Sequence, residues 1–166
     1  MKKVILFNIL GCALTVIIFA GCHFSAGVKK DLKTGLSVSY NGFEVNEVYL
    51  ADKAGKPLPN NKVFMDSTFS IIAKGVDNYK LKDGKAYPGC ELTIKDKNGK
   101  VLGGSPDVME GIAKDGLIPK NATVLSAILT LHHPFVVGET YHVAARFFDK
   151  ENAKNELKAD IDILLQ

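Results

Sequence analysis

Tryptophan is absent from these 166 residues, cysteine and methionine occur three times each, and aromatic side chains make up only 8%. Without tryptophan, the Cys…Trp…Cys core of antibody-type domains is excluded. Cys12 and Cys22 lie at the start of the chain, which leaves Cys90 alone in its body. No disulfide framework can therefore staple the fold. Signatures of chemistry are missing too. Gly103-Gly104 runs into Ser105-Pro106, not into the Lys-Ser of a phosphate loop, and there is no Gly-x-Ser-x-Gly elbow. Asp96-Lys97-Asn98-Gly99 lacks the alternating oxygens and closing Glu of a calcium loop. Asp149 and Glu151 read as loop solvation. We expect no catalysis and no cofactor.

What is present begins with a leader. Lys2 and Lys3 precede a 17-residue, mostly apolar run, Val4–Ala20, interrupted by Asn8 and Thr15. A membrane-spanning helix needs about 20 such residues, so the run is short. It ends in Phe19-Ala20-Gly21-Cys22, small residues of the kind a signal peptidase requires. Small-small-Cys after an apolar run resembles the lipobox of bacterial lipoproteins, with Phe19 where that family most often has Leu, a loosening common in Bacteroidota-like sequences. The resemblance implies cleavage after residue 21, a diacylglycerol on the Cys22 thiol and acylation of the new amine. Two or more acyl chains hold a protein stably on a bilayer where one does not. His23, not Asp, follows the cysteine, so the resemblance points to the outer membrane and leaves open which side of it the domain faces.

Setting aside residues 1–21 leaves 145, enough for one domain that buries roughly 68–70% of its unfolded surface. Two of the 21 basic residues go with the leader, so 19 stand against 18 acids and the net charge is +1 instead of +3. That balance argues against a nucleic-acid partner, which selects a concentrated basic face. Residues 22–36 hold Ser25, Gly27, Gly35 and Lys29-Lys30-Asp31 without a sustained period, and read as a lipidated N-terminus and tether.

Residues 37–166 read as one all-β domain. Leu157, Ala159, Ile161, Ile163 and Leu165 alternate with Lys158, Asp160 and Asp162; Tyr141, Val143, Ala145 and Phe147 alternate with His142, Ala144 and Arg146. A polar loop, Asp149–Asn155, joins the two runs into an antiparallel pair. Leu125–Leu131, Cys90–Lys95 and Thr68–Val76 alternate likewise. Asn98-Gly99 predicts a two-residue hairpin into Val101-Leu102. Phe43–Leu50 changes phase near Asn46-Glu47, which predicts a bulge. Pro106–Lys114 predicts a short helix capped by Ser105. About seven strands and one short helix make an antiparallel β-sandwich. The stretch from Pro134 through Gly138-Glu139-Thr140-Tyr141-His142-Val143 to Asp149 resembles the late strands of Ig-like and fibronectin-type domains. That resemblance implies a tyrosine hydroxyl bonding back across a corner.

Candidate site residues follow. Cys90 shares its face with Leu92 and Ile94, which predicts an inert packing thiol. His132 and His142 are the candidates for a metal, on the outer face of paired strands, but no third ligand can be named. The loop Gly75–Gly89 is long for a hairpin, and long loops are disproportionately functional. Its Tyr79, Lys80, Lys82 and Tyr87 are the candidate ligand contacts, toward protein or glycan. Asp66-Ser67-Thr68 resembles the O-glycosylation acceptor of Bacteroidota, with Ser67 as the acceptor. Asn121-Ala122-Thr123 is an N-glycosylation sequon in form only. The expectation is a membrane-anchored envelope lipoprotein serving as a binding or interaction module. The alternatives are a structural subunit of an envelope assembly and, last, a small metal carrier.

Overall fold

The computed structural model describes residues 25–166. The expected leader at 1–21 and the expected lipidation site Cys22 lie outside the described residues. Ten strands form: β1 (Ala26–Lys30), β2 (Ser37–Asn41), β3 (Glu47–Asp52), β4 (Lys62–Val63), β5 (Thr68–Lys74), β6 (Pro88–Lys95), β7 (Val101–Ser105), β8 (Val124–Thr130), β9 (Thr140–Asp149) and β10 (Asn152–Leu165). One sheet is ordered β1-β2-β10-β9-β6-β7, with the short β4 beside the end of β10; the other is β3-β5-β8. All pairs are antiparallel except β4 with β10. The fold is an antiparallel β-sandwich of the expected class.

Its core is the shared inner face. Phe43, Phe69, Phe147, Leu125, Ile71, Ile161 and Ile163 are at most 2% exposed. Each contributes about 1.5–3 kcal/mol by leaving water. The alternation read from sequence is the reason these strands form. On β9, and on β10 from Asn155 onward, every second residue is buried, and Ile161 sits opposite Val143 and Ile163 opposite Tyr141. Leu92, Ile94, Leu129, Tyr141, Val143 and Phe147 are buried as well.

All seven expected runs are strands, and three more join them. Two corrections concern their edges. The segment read as a tether through residue 36 folds onto the domain from Ala26: β1 pairs along the whole of β2, and Thr34 and Leu36 are buried. Exposure on both faces, with four of five β1 residues open to solvent, leaves no period to detect. The phase change near Asn46 is a strand boundary, not a bulge. Glu44 and Asp77 exchange both backbone bonds, and β3 starts only at Glu47.

The helix (α1) is one turn, Glu110–Ala113, and Ser105 does not cap it because that residue belongs to β7. The Asp107 carboxylate instead accepts Met109 N at 2.9 Å and Cys90 N at 3.0 Å, which fixes the chain ahead of the turn.

The Asn98-Gly99 hairpin closes with three residues between Asp96 and Lys100, and only Gly99 takes positive φ, at +81°. Asp96 Oδ1 accepts both Asn98 N and Lys100 N. The same arrangement recurs at Asp52, which accepts Ala54 N and Lys56 N ahead of Gly55 at +79°. Asp-Lys-x-Gly-Lys at 52–56 and 96–100 is one turn used twice. The aspartate satisfies the turn's N–H groups, and glycine supplies the left-handed corner.

Candidate functional site

The long β10 strand defines two ends. Glu156 lies opposite Asn41, and Leu164 lies beside Lys62. At about 3.4 Å per residue these points are roughly 27 Å apart.

The first end is where the described chain arrives. Ser25 O accepts Gly42 N at 2.8 Å. Behind Gly42 sits a buried polar node. Asn155, 3% exposed, donates Nδ2 to Asn78 O at 2.7 Å and to Asp149 Oδ2 at 3.2 Å. Asp149, 1% exposed, also accepts Lys80 N at 2.8 Å and Glu151 N at 3.0 Å. Gly42 has φ +75°, and a Cβ there would strike Asn155 Oδ1, so only glycine fits. Among the described residues no buried side-chain polar atom lacks a partner.

The node holds the long loop Gly75–Gly89, and holds it stiffly. Lys82 and Lys85 exchange backbone bonds of 2.9 and 3.0 Å around Asp83 (φ 52°) and Gly84 (φ 74°), a type I′ turn. Ala86 and Leu117 exchange two bonds of 2.8 Å.

Of the four candidate contacts, Tyr79 faces inward. Its ring meets Phe43 edge-on at 4.9 Å, and its hydroxyl donates to Ala122 O at 3.0 Å. Burial, with Asp149 and Asp77 nearby, pushes its pKa well above the ordinary 10.0. Tyr87 is half-buried, its ring closing over Gly116. Lys82 pairs with Glu151 at 3.3 Å. Lys80 is exposed and forms no ion pair among the described residues, and Leu81 between the two lysines is 48% exposed. The loop therefore presents Lys80-Leu81-Lys82, not a pair of tyrosines.

The opposite end is stitched to the C-terminal strand. Gln166 N donates to Val63 O, Met65 N to Gln166 O and Gly138 N to Leu165 O, all between 2.7 and 2.8 Å. Tyr141 Oη accepts Val136 N at 2.7 Å, the expected hydroxyl bond across the corner. Three large apolar side chains stand out into solvent here: Phe64 (68% exposed), Val136 (57%) and Val137 (54%). Beside Phe64 runs a groove of about 480 Å³, floored by Leu58, Val63 and Phe69 and rimmed by Lys53 and Asp66.

Ser67 also lines this groove, its Oγ donating to Phe64 O at 2.6 Å. His132 Nδ1 meets Asp66 Oδ1 at 2.7 Å at the same end. His142 is not its neighbour. It lies on β9, in the other sheet, between Asp162 (2.9 Å) and Asp160 (3.5 Å). β8 pairs with β5, not β9, because residues 131–139 cross from one sheet to the other. The two candidate metal ligands thus do not converge. Among the described residues no group of three or more His, Cys, Asp or Glu could hold a metal ion.

Cys90 is fully buried, and burial, then Asp107 and Glu91, pushes its thiol up to about 12. The thiolate that reactive chemistry requires is disfavoured. Burial would raise Asp107 too, but Lys150 at 2.6 Å and the N–H groups of Cys90 and Met109 outweigh it and hold the carboxyl below its ordinary value.

The exposed apolar group at the second end was not read from sequence. Val63-Phe64-Met65 is too short for a strand of its own, and only the turn chemistry of Asn60-Asn61 and Asp66-Ser67 on either side hinted that Phe64 sits on a tip.

Comparison with known proteins bears on the fold. No protein-family model matches the chain, and no curated protein matches it. Among solved structures it is similar to the C-terminal domain of wzt, at 10% identity and TM-score 0.50, covering 87% of this chain and 79% of that one. A superoxide reductase (neelaredoxin) from Ignicoccus hospitalis matches at 12% identity and TM-score 0.41, covering 75% and 82%. At such identities the likeness is one of fold alone.

Proposed function

We propose that this chain is a lipid-anchored protein of the bacterial cell envelope, held on the outer membrane through Cys22, and that it acts as a non-catalytic interaction module. The observation that carries the reading is the polarity of the sandwich. The chain enters at one end, and Phe64, Val136 and Val137 stand exposed at the other, roughly 27 Å away along β10. Aromatic and aliphatic anchors beside a polar rim suit a protein partner. Rigid strands with stitched loops present such a surface at little entropic penalty.

The anchor is tested by growth with a fatty-acid analogue. Label should enter the protein and vanish in Cys22→Ala; label persisting in that variant overturns the anchor.

The tip is tested with a photo-reactive residue at position 64 of the full chain, in host membranes, against one at Thr93 on the outer sheet face. A stoichiometric crosslinked species from 64 alone is the expected result. Equal crosslinking from both positions, or none, overturns the tip as the contact surface. The same membranes report the rival readings: glycan retention without a crosslink favours a glycan module, and a crosslink to an abundant envelope protein at every exposed position favours a structural subunit. Intact mass of the purified protein checks for a glycan on Ser67.

A further inference from the structure

We infer that the Lys80-Leu81-Lys82 arm is a membrane-contact site, seated on the headgroups of the same bilayer that holds the anchor, with Leu81 entering the interface. The inference rests on the anchor reading of Cys22.

Reach comes first. Whatever path residues 22–24 take, the three steps from Cys22 to Ser25 span at most about 11 Å. The folded domain therefore begins almost at the lipid. Placement comes second. Ser25 bonds Gly42, Gly42 O accepts Asn78 Nδ2, Asn78 O accepts Asn155 Nδ2, and Asn155 and Lys80 N share the Asp149 carboxylate. An unbroken hydrogen-bonded path thus ties the point of entry to the base of the arm. Both face the membrane together.

Chemistry comes third. Leu81 is 48% exposed on a tight, doubly bonded arm, between two lysines. Such lysines lay their stems along an apolar surface and hold their ammonium groups at phosphate level. Lys154, in the irregular first residues of β10, adds a third cation, and neither Lys80 nor Lys154 has an ion-pair partner among the described residues. Glu44, Asp77, Asp83 and Glu151 lie at the same end, and Glu151 already pairs with Lys82. Opposing charge of that amount keeps the arm from binding a membrane unaided. It makes contact because the anchor raises its local concentration at the surface.

The experiment uses the chain's lack of tryptophan. Leu81→Trp introduces a single tryptophan, excited selectively over the tyrosines, into the acylated protein, and Phe64→Trp places one at the opposite end. Each is reconstituted into vesicles of phosphatidylethanolamine and phosphatidylglycerol, with and without brominated acyl chains. Emission from position 81 should shift to the blue and be quenched by the brominated lipid, while emission from position 64 should do neither. Adding Lys80→Glu and Lys82→Glu to Leu81→Trp should reduce the quenching without releasing protein from the vesicles. If acylated protein floats with the vesicles and position 81 is unquenched, or both positions are quenched equally, the contact is overturned and the anchor stands. A Cys22 without acyl mass, with protein left in the aqueous fraction, is the different signature that overturns both.

Discussion

The two ends of the sandwich close off open strands with opposite chemistry. At the end where the described chain arrives, closure is by buried polar groups: Asp149 and Asn155 are 1% and 3% exposed, Asp149 accepts the N–H groups of Lys80 and Glu151, and Asn155 donates to Asn78 O. At the far end, closure is mainly by backbone bonds to Leu165 and Gln166, helped by the Tyr141 hydroxyl, and Phe64 is left 68% exposed. A buried hydrogen-bonded carboxylate fixes a loop in one conformation, because any departure strands N–H groups without acceptors. Exposed apolar side chains on a stitched frame do not stabilise the fold. The buried polar node and the proposed contact surface are therefore separated along the length of one domain, and the two ends should respond differently to substitution.

What joins the ends is the common core, so the largest effect should come there. Ile161→Ala should lower unfolding free energy by about 2–5 kcal/mol in urea, because burial and cavity terms add. Lys158→Ala, next to Glu156 on the outer face, should change it by no more than roughly 0.5 kcal/mol. Equal effects would mean that β10 is turned the other way and that the two ends do not share a core.

Next in size is the polar node. Asp149→Ala removes the acceptor from Lys80 N, Glu151 N and Asn155 Nδ2 at once, a loss of about 2–3 kcal/mol. Hydrogen exchange should speed up over residues 78–87 and 149–155 and stay slow over 63–66 and 136–139. Asp149→Asn keeps an amide oxygen and should be milder. Uniform loss of protection across both ends would mean that the node does not act on its own end alone.

Much of the frame was legible in the sequence because period-two alternation is a direct image of one buried face. Cys90, Leu92, Leu129 and Ile163 were placed inward on that ground alone, and they are inward. The Tyr141 corner was legible by resemblance. Legibility failed wherever both faces share one character. β1 is nearly all exposed, and in the 43–50 stretch a strand boundary imitates a slipped phase. It failed again for Tyr79, since an amphipathic side chain in a polar loop reads the same whether its hydroxyl meets a ligand or, as here, Ala122 O. The metal pair failed for topological reasons: adjacency of His132 and His142 in sequence order presumed that β8 pairs with β9, and the sheets divide between them.

A smaller effect should appear with pH, between the two ends on β6. The Cys90 thiol is held up to about 12 by burial, against an ordinary 9.0. Above the ordinary value the unfolded chain loses its proton first, so this group's contribution to stability falls as pH rises toward the folded value. The urea midpoint of the wild type should therefore drop more than that of Cys90→Ala on going from about pH 8 to about pH 10.5. A thiol reagent should label the native protein slowly and the unfolded protein quickly. Fast labelling of the folded domain would revive a reactive role for Cys90.

The smallest effect expected on stability lies at the far end. Phe64 and Phe69 are five residues apart and line the same groove, yet Phe69 is 1% exposed and Phe64 is 68% exposed. Replacing Phe69 by Ala should remove about 3–5 kcal/mol, as for any large buried side chain. Phe64→Ser should move unfolding free energy by no more than roughly 0.5 kcal/mol, because little apolar area returns to water. On the proposed reading that this side chain meets a partner, Phe64→Ser should weaken partner crosslinking introduced at Val136, at the same end, while leaving the unfolding curve in place. If Phe64→Ser destabilises as strongly as Phe69→Ala, the side chain packs against its own domain, and the far end is a second closed end with nothing left over to present.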